Sequence, residues 1–195
     1  MTAPTKINFK IYQGSTFKEV LRWESATKGY SPISGITKSA PVVITAVAHG
    51  VPVGWRAKIT NVLGMKEINS ADTYHTVTEA TADTITINAV NALSYTDYTS
   101  GGVIEYNMPV DLTGYTARMQ LRLKLEDTEF IHEMTTENGG ITIDNVNKTI
   151  NLNILATDTA LFTFSSVVYS LELISGVEVT PFANGSITLV KEVTR

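Results

Sequence analysis

The three histidines are the side chains most able to bind a metal ion or transfer a proton near neutral pH. His49, His75 and His132 lie in different segments, and none has a second histidine at the spacing of a zinc-binding helix. We therefore predict no metal site. His49 precedes Gly50 and is predicted to close a turn through hydrogen bonds, whereas His75 and His132 lie in alternating patterns typical of half-exposed strand residues.

Carboxylates could also carry chemistry, since two carboxyl groups about 5 to 10 Å apart hydrolyse glycosides by acid–base catalysis. Glu126, Asp127, Glu133 and Asp111 are the candidates. We favour a structural interpretation, in which residues 126–129 form a solvated hairpin end and Asp111 accepts hydrogen bonds from the amides that follow it. The sequence has neither a nucleophile elbow nor a phosphate-binding loop, so we expect no enzyme and no cofactor.

Aromatic side chains could form a binding surface, because tryptophan, tyrosine and arginine dominate interaction hot spots. Trp23 lies in an apolar run and is predicted to be a core residue. Trp55 and Arg56 follow Gly54 in a predicted turn, and for them docking and packing are equally good interpretations. Tyr95 and Tyr98 are predicted to be structural. The alternative is a carbohydrate-binding platform formed by Trp55 and the tyrosines.

Composition excludes several classes of protein. Of 195 residues, 43% are hydrophobic and 17% charged, so the chain has enough apolar surface to fold. The net charge of −4 is spread without a basic patch, which argues against a nucleic-acid partner. No apolar run approaches the length of a membrane span, and the first ten residues do not resemble a signal peptide. The absence of cysteine fits synthesis in a reducing cytoplasm.

The elements that must position these residues are strands. Apolar and polar residues alternate from Tyr115 to Leu125, which predicts a half-buried strand. Polar connections between further alternating runs predict antiparallel hairpins. Their strands are placed at 141–143 with 150–154, and at 169–173 with 177–179.

Turn residues complete this assignment. Asn184-Gly185 is predicted to be a turn before a last strand that runs to Lys191. The segment from Phe17 to Glu24 is compatible with a helix, but we favour a strand because Gly14-Ser15 and Lys28-Gly29 bracket it as turns. A short helix is predicted near Ala156–Phe162, capped by Thr157 or Asp158.

The sequence pattern changes between residues 35 and 102, where short runs of β-branched residues alternate with turns rich in glycine, asparagine and aspartate. We therefore predict an all-β protein of two parts. Residues 1–34 and 103–195 are predicted to form an antiparallel β-sandwich that docks to other proteins. Residues 35–102 are predicted to form a small β-barrel inserted into it, as occurs at loop tips whose ends lie close together.

The predicted host part resembles small phage tail and baseplate proteins, including the N-terminal domain of baseplate upper proteins. The resemblance rests on four segments in the same order. These are residues 11–23 with Gln13-Gly14, residues 109–120 with Asp111-Leu112-Thr113-Gly114-Tyr115, residues 140–143 and residues 185–189.

The predicted insertion resembles the small β-barrel of the first-catalytic-cysteine half-domain of ubiquitin-activating enzymes, which also recurs in phage tail proteins. Residues 44–50, 64–69 and 94–102 carry this resemblance. It implies a fold and no ubiquitin chemistry, since the chain has no cysteine.

These resemblances imply a structural protein of a tailed-phage virion, assembled in the bacterial cytoplasm and present in many copies set by particle symmetry. Its expected partners are other virion proteins of the tail, baseplate, fibre or neck, bound through loops or by strand addition at sheet edges. We favour the tail or baseplate, with possible anchoring of fibres. Head decoration, a neck position, and carbohydrate or receptor binding are the alternatives, and a depolymerase is the least favoured.

Overall fold

A computed structural model of the chain describes residues 3–70 and 72–192. It is nearly all β, with 51% of residues in strands and 4% in helices, so the predicted all-β class is confirmed. None of the helices it describes is long and apolar enough to cross a membrane. The strands are β1 Thr5–Lys6, β2 Phe9–Tyr12, β3 Phe17–Arg22, β4 Glu24–Pro32, β5 Gly35–Ile36, β6 Val42–Thr45, β7 Arg56–Leu63, β8 His75–Thr76, β9 Glu79–Ala80, β10 Thr84–Ile87, β11 Ser100–Pro109, β12 Thr116–Arg122, β13 His132–Thr135, β14 Ile141–Asp144, β15 Thr149–Ile154, β16 Ser166–Ser175 and β17 Glu178–Val190; a 3₁₀ helix spans Lys66–Ile68, and α1 spans Ala156–Ala160.

The chain divides into two compact units. Unit 1 comprises Met1–Arg22 and Asp111–Arg195, and unit 2 is the continuous segment Trp23–Val110. Unit 2 extends beyond the sequence-based boundaries of 35 and 102, because β4 pairs with residues 103–109 of β11 in one sheet of unit 2. The ends of unit 2 meet, since the Val110 N–H donates to the Trp23 carbonyl oxygen at 3.0 Å.

Unit 1 contains two sheets. One has the strand order β1-β17-β16-β12-β13, with β2 also paired to β17, and the other has the order β14-β15-β3. The predicted hairpins are present as β14–β15 and β16–β17, both antiparallel. β1 and β2, however, pair with β17 in parallel, so this otherwise antiparallel sheet is mixed.

Gly185 shows why the N-terminal strands can reach β17. The predicted turn at Asn184-Gly185 is absent, because β17 runs through both residues. A side chain at position 185 would collide with the carbonyl oxygen of Ile7, which crosses close to the strand. Next to it, the Asn8 side-chain oxygen accepts hydrogen bonds from the Ser186 backbone N–H at 3.0 Å and the Ser186 hydroxyl at 3.1 Å. Gly185 is therefore a site of close backbone approach.

The predicted short helix and the predicted strand near Phe17 are both present, but the predicted helix cap and one predicted turn are not. α1 spans Ala156–Ala160, but Leu155 is its N-cap and makes no side-chain capping bond, so neither Thr157 nor Asp158 has the predicted role. β3 is a strand, as favoured. The predicted turn at Lys28-Gly29 is wrong, because β4 continues through it and Gly29 lies against the ring of Tyr106, where a side chain would lie 2.7 Å from the ring carbon Cζ.

Unit 2 contains two four-stranded sheets, with the orders β5-β6-β10-β9 and β4-β11-β7-β8. Side chains from both sheets form one buried cluster. The described residues contain no closed barrel, so the predicted barrel is corrected to two open sheets around a common core. The physical reason is the shortness of β5, β8 and β9, each two residues long, which leaves few backbone groups for a continuous ladder.

Candidate interaction surface

A groove on unit 1, lined mainly by apolar side chains, has a volume of about 510 Å³. Leu161, in the turn after α1, is 79% exposed beside it, and Leu123, just after β12, is 58% exposed. A neighbouring depression shares Leu123 and Ile131 and adds Phe130, which is 47% exposed. Exposed apolar side chains that lie close together are one feature of protein-contact sites in general. The apolar groove is lined by Leu123, Ile131, His132, Asp158, Leu161, Phe162, Thr163 and Phe164.

Local sequence explains why these apolar residues remain at the surface. β12 ends at Arg122, and Asp127 then folds the chain back, because its carboxylate accepts a hydrogen bond from the Lys124 N–H at 3.0 Å. The alternating pattern therefore continues beyond the strand, and Leu123 and Leu125 lie past Arg122, the last residue of β12 that pairs with β16. The floor is rigid and aromatic, since the rings of Phe162 and Phe164 lie 5.2 Å apart and His132 meets Phe162 edge-on at 5.5 Å.

The edge of β13 next to the groove is occupied by a side chain. Asn138 presents its amide to the outer edge of the strand, where its oxygen accepts from the Thr135 N–H at 2.8 Å. Its Nδ2 donates to the Glu133 carbonyl oxygen at 3.0 Å. These are the groups that a neighbouring strand would bind, so strand addition is blocked here.

Trp55 does not lie at the surface. Its side chain is 0% exposed, and its indole Nε1–H donates to the Asn107 carbonyl oxygen at 2.7 Å. This burial corrects the interpretation of Trp55 as a docking residue and removes it from a sugar-binding platform. The turn before β7 places the ring inward, where it joins the core of unit 2.

Arg56, the other predicted docking residue, points away from that core. It is exposed, and its guanidinium forms an ion pair with Glu24 at 3.3 Å. The same Glu24 carboxylate accepts from the side chain of Asn107 at 2.9 Å. The structure thus separates Trp55 and Arg56 onto opposite sides of the strand. An exposed pair of this type contributes about 1 kcal/mol or less to stability.

The remaining aromatic candidates are partly buried. Trp23, which was predicted to be a core residue, is half-buried. Tyr95 and Tyr98 pack against the core of unit 2, and the Tyr98 hydroxyl lies 3.1 Å from the Ile33 carbonyl oxygen and 3.0 Å from that of Gly101. The predicted structural role of the two tyrosines is confirmed.

His49 closes a turn, as predicted. Its Nδ1 accepts a hydrogen bond from the Val51 N–H at 2.9 Å, which leaves the proton on Nε2 to be donated to the Thr84 carbonyl oxygen at 3.1 Å. His75 and His132 are half-buried in β8 and β13, and burial lowers the pKa of both imidazoles. No group of three metal-ligating side chains occurs among residues 3–70 and 72–192.

Asp111 forms the predicted turn and is the centre of a larger polar network. Its Oδ1 accepts from the Thr113 hydroxyl at 2.9 Å, the Thr113 N–H at 3.3 Å and the Asn145 side chain at 2.9 Å. Lys148 lies 3.4 Å from the same oxygen. These donors favour the charged form and lower the pKa of Asp111 from 3.8 to about 2, with the Asn145 hydrogen bond as the largest cause. The network joins residues 111–113 to the β14–β15 connection.

No protein-family model and no curated protein sequence matches this chain.

Acid should weaken the Asp111 network. Because folding lowers the pKa of Asp111, its contribution to stability is fully present above pH 3.8 and is lost as the pH falls through about 2. Asp111→Asn removes this titration. We expect the stability difference between wild type and Asp111→Asn, measured by urea denaturation, to be constant above pH about 4 and to shrink between pH 4 and 2. A difference that does not change over that range would contradict the assignment.

Proposed function

We propose that the chain is a non-enzymatic structural protein of a tailed-phage virion that docks to a neighbouring virion protein through the apolar groove of unit 1. The observation that carries this proposal is the exposure of Leu161 and Leu123 at the groove and of Phe130 at the depression beside it. Removing apolar surface from water is favourable by about 25 cal/mol per Å², which offsets part of the entropy lost on association. Unit 1 also holds nearly all of the residues that carry the resemblance to phage tail and baseplate proteins.

In the proposed arrangement, the two sheets of unit 1 pack face to face as a sandwich, and unit 1 carries the docking surface. Buried side chains occur on strands of both sheets, for example Leu121 and Met134 in one and Ile150 and Leu152 in the other. A rigid scaffold of this kind holds the groove in one shape, and the symmetry of a particle then multiplies a modest contact. We favour a position in the tail or baseplate, with many copies per particle.

Groove variants test the docking proposal. Leu161→Asp places a charge at the proposed contact without altering a buried residue, and leaving that charge unpaired at an interface costs several kcal/mol. We expect at least about a tenfold loss of this chain from gradient-purified particles. Incorporation is measured by immunoblot of particles whose genome carries the variant.

Val177→Asp is the matched control. Val177 is 99% exposed in the β16–β17 turn, outside the groove, so the same chemical change there should leave incorporation unchanged. Equal incorporation of both variants would exclude the groove as the contact. The absence of the wild-type chain from purified particles would refute the virion proposal itself.

A further inference from the structure

The open edge of β3 differs from the other long strand edge of unit 1. β3 pairs with β15 on one side, and no strand among the described residues pairs with its other side. At β13, by contrast, Asn138 occupies the outward backbone groups. Asn69 does the same in unit 2, where its amide bonds both the N–H and the carbonyl oxygen of Val62 at 2.8 and 3.0 Å. Side chains therefore occupy the outward backbone groups of two strand edges, whereas the edge of β3 remains open.

The ladder geometry identifies the outward groups of β3. The Asn153 N–H donates to the Gly140 carbonyl oxygen, just before β14, so the backbone groups of Asn153 point away from β3. Both groups of a strand residue point to the same side, and the sides alternate along the strand. Lys18 lies opposite Asn153 and Val20 lies opposite Asn151, so Lys18 and Val20 direct their N–H and carbonyl groups to the open edge. Neither residue has a hydrogen-bond partner there among the described residues.

The side chains at this edge are exposed and carry charge. Lys18 and Glu19 are exposed, and Val20 is 62% exposed. Lys18 and Val20 share one face of the strand, and Glu19 lies on the opposite face. An added strand therefore meets a cation, an anion and a β-branched residue in succession.

This charge order disfavours a second copy of the same strand. Antiparallel self-pairing must place outward residues opposite outward residues. With Val20 opposite Val20, Lys18 faces Arg22; with Lys18 opposite Val20, Glu19 faces Glu19. Like charges directly opposite each other destabilise a strand pair. The other registers of this kind align three residues or fewer, at one end of the strand.

We propose that the open edge of β3 binds an extended segment of a different protein by antiparallel strand addition. Complementary charge defines that segment: an acidic residue opposite Lys18, a basic residue opposite Glu19 and a β-branched residue opposite Val20. Read from its N-terminus, the bound segment has the order β-branched, basic, acidic. This site is separate from the apolar groove and does not depend on the docking proposed there.

A labelled peptide tests the proposal on the full-length protein. The probe is fluorescein-Glu-Thr-Val-Lys-Glu-Thr, and the control peptide Lys-Thr-Val-Glu-Lys-Thr reverses its charges. We expect saturable binding of the probe by fluorescence anisotropy, with at least a tenfold weaker dissociation constant for the control peptide. Lys18→Glu should reduce binding of the probe by a similar factor.

Val20→Pro provides the backbone test. Proline removes the outward N–H of Val20 without removing a bond to β15, and edge strands tolerate it. This variant should fold, as judged by circular dichroism, and lose binding of the probe, whereas Val20→Thr should retain it. No saturable binding at millimolar peptide, equal binding of both peptides, or self-association of the wild type through β3 would overturn the proposal. The virion experiment with Leu161→Asp is unaffected by any of these results.

Discussion

Trp55→Ala should lower the free energy of unfolding of unit 2 by about 3 to 5 kcal/mol, the usual loss for truncation of a buried tryptophan. The side chain has no exposed surface and belongs to the buried cluster of unit 2. Its removal leaves a cavity and also deprives the Asn107 carbonyl oxygen of the indole donor. Urea denaturation followed by far-ultraviolet circular dichroism measures the change.

Arg56→Ala is the matched control for this prediction. The residue is adjacent in sequence but exposed, and its ion pair with Glu24 is solvent-accessible on the arginine side. We expect its loss to change the free energy of unfolding by about 1 kcal/mol or less. If Trp55→Ala were as mild as Arg56→Ala, the burial of Trp55 would be refuted, and a surface role for the tryptophan would become the better interpretation.

Gly185→Ala should destabilise unit 1 by at least about 2 kcal/mol, as overpacking at a site without free space does. The added methyl group would collide with the Ile7 carbonyl oxygen, which forces the N-terminal segment away from β17. The Ile7 N–H donates to the Asn184 carbonyl oxygen at 2.9 Å and should lose its protection. Hydrogen exchange followed by NMR reports this amide directly, and chemical denaturation reports the loss of stability.

Gly35→Ala is the corresponding control in another strand. A methyl group at Gly35 would meet the side chain of Thr45 at 3.6 Å, which is an ordinary contact distance. Its effect should stay within about 0.5 kcal/mol. If the Ile7 amide exchanged at the wild-type rate in Gly185→Ala, the close approach of β17 and the N-terminal segment described above would be refuted.

The elements that were predictable from the sequence are those with local signals. Alternation from Thr116 to Arg122 and the polar connections of the β14–β15 and β16–β17 hairpins need only neighbouring residues to be recognised. The parallel pairing of β1 and β2 with β17 has no such signal, because both strands are short and their partner lies at the other end of the sequence.

Tertiary packing and the residues of the candidate site were harder to predict from the sequence than the strands. Asn184-Gly185 has turn composition, but glycine is equally required where another backbone passes closely, and only the tertiary structure distinguishes the two. Trp55 follows a glycine in a turn, yet the turn directs its ring inward. Leu123 extends the alternating pattern of β12, and its exposure depends on where that strand ends. The position of Leu161 beside it depends on how α1 packs, which no local pattern reports.

The division of the chain also sets an order of events during synthesis. Unit 2 is complete once Val110 has been made, whereas the first 22 residues must wait for β15 and β17. At about 5 to 20 residues per second, that interval is on the order of ten seconds. The apolar residues Phe9, Ile11 and Phe17 have no strand partner during this time. We therefore expect the nascent N-terminal segment to be the part of the protein most dependent on chaperones.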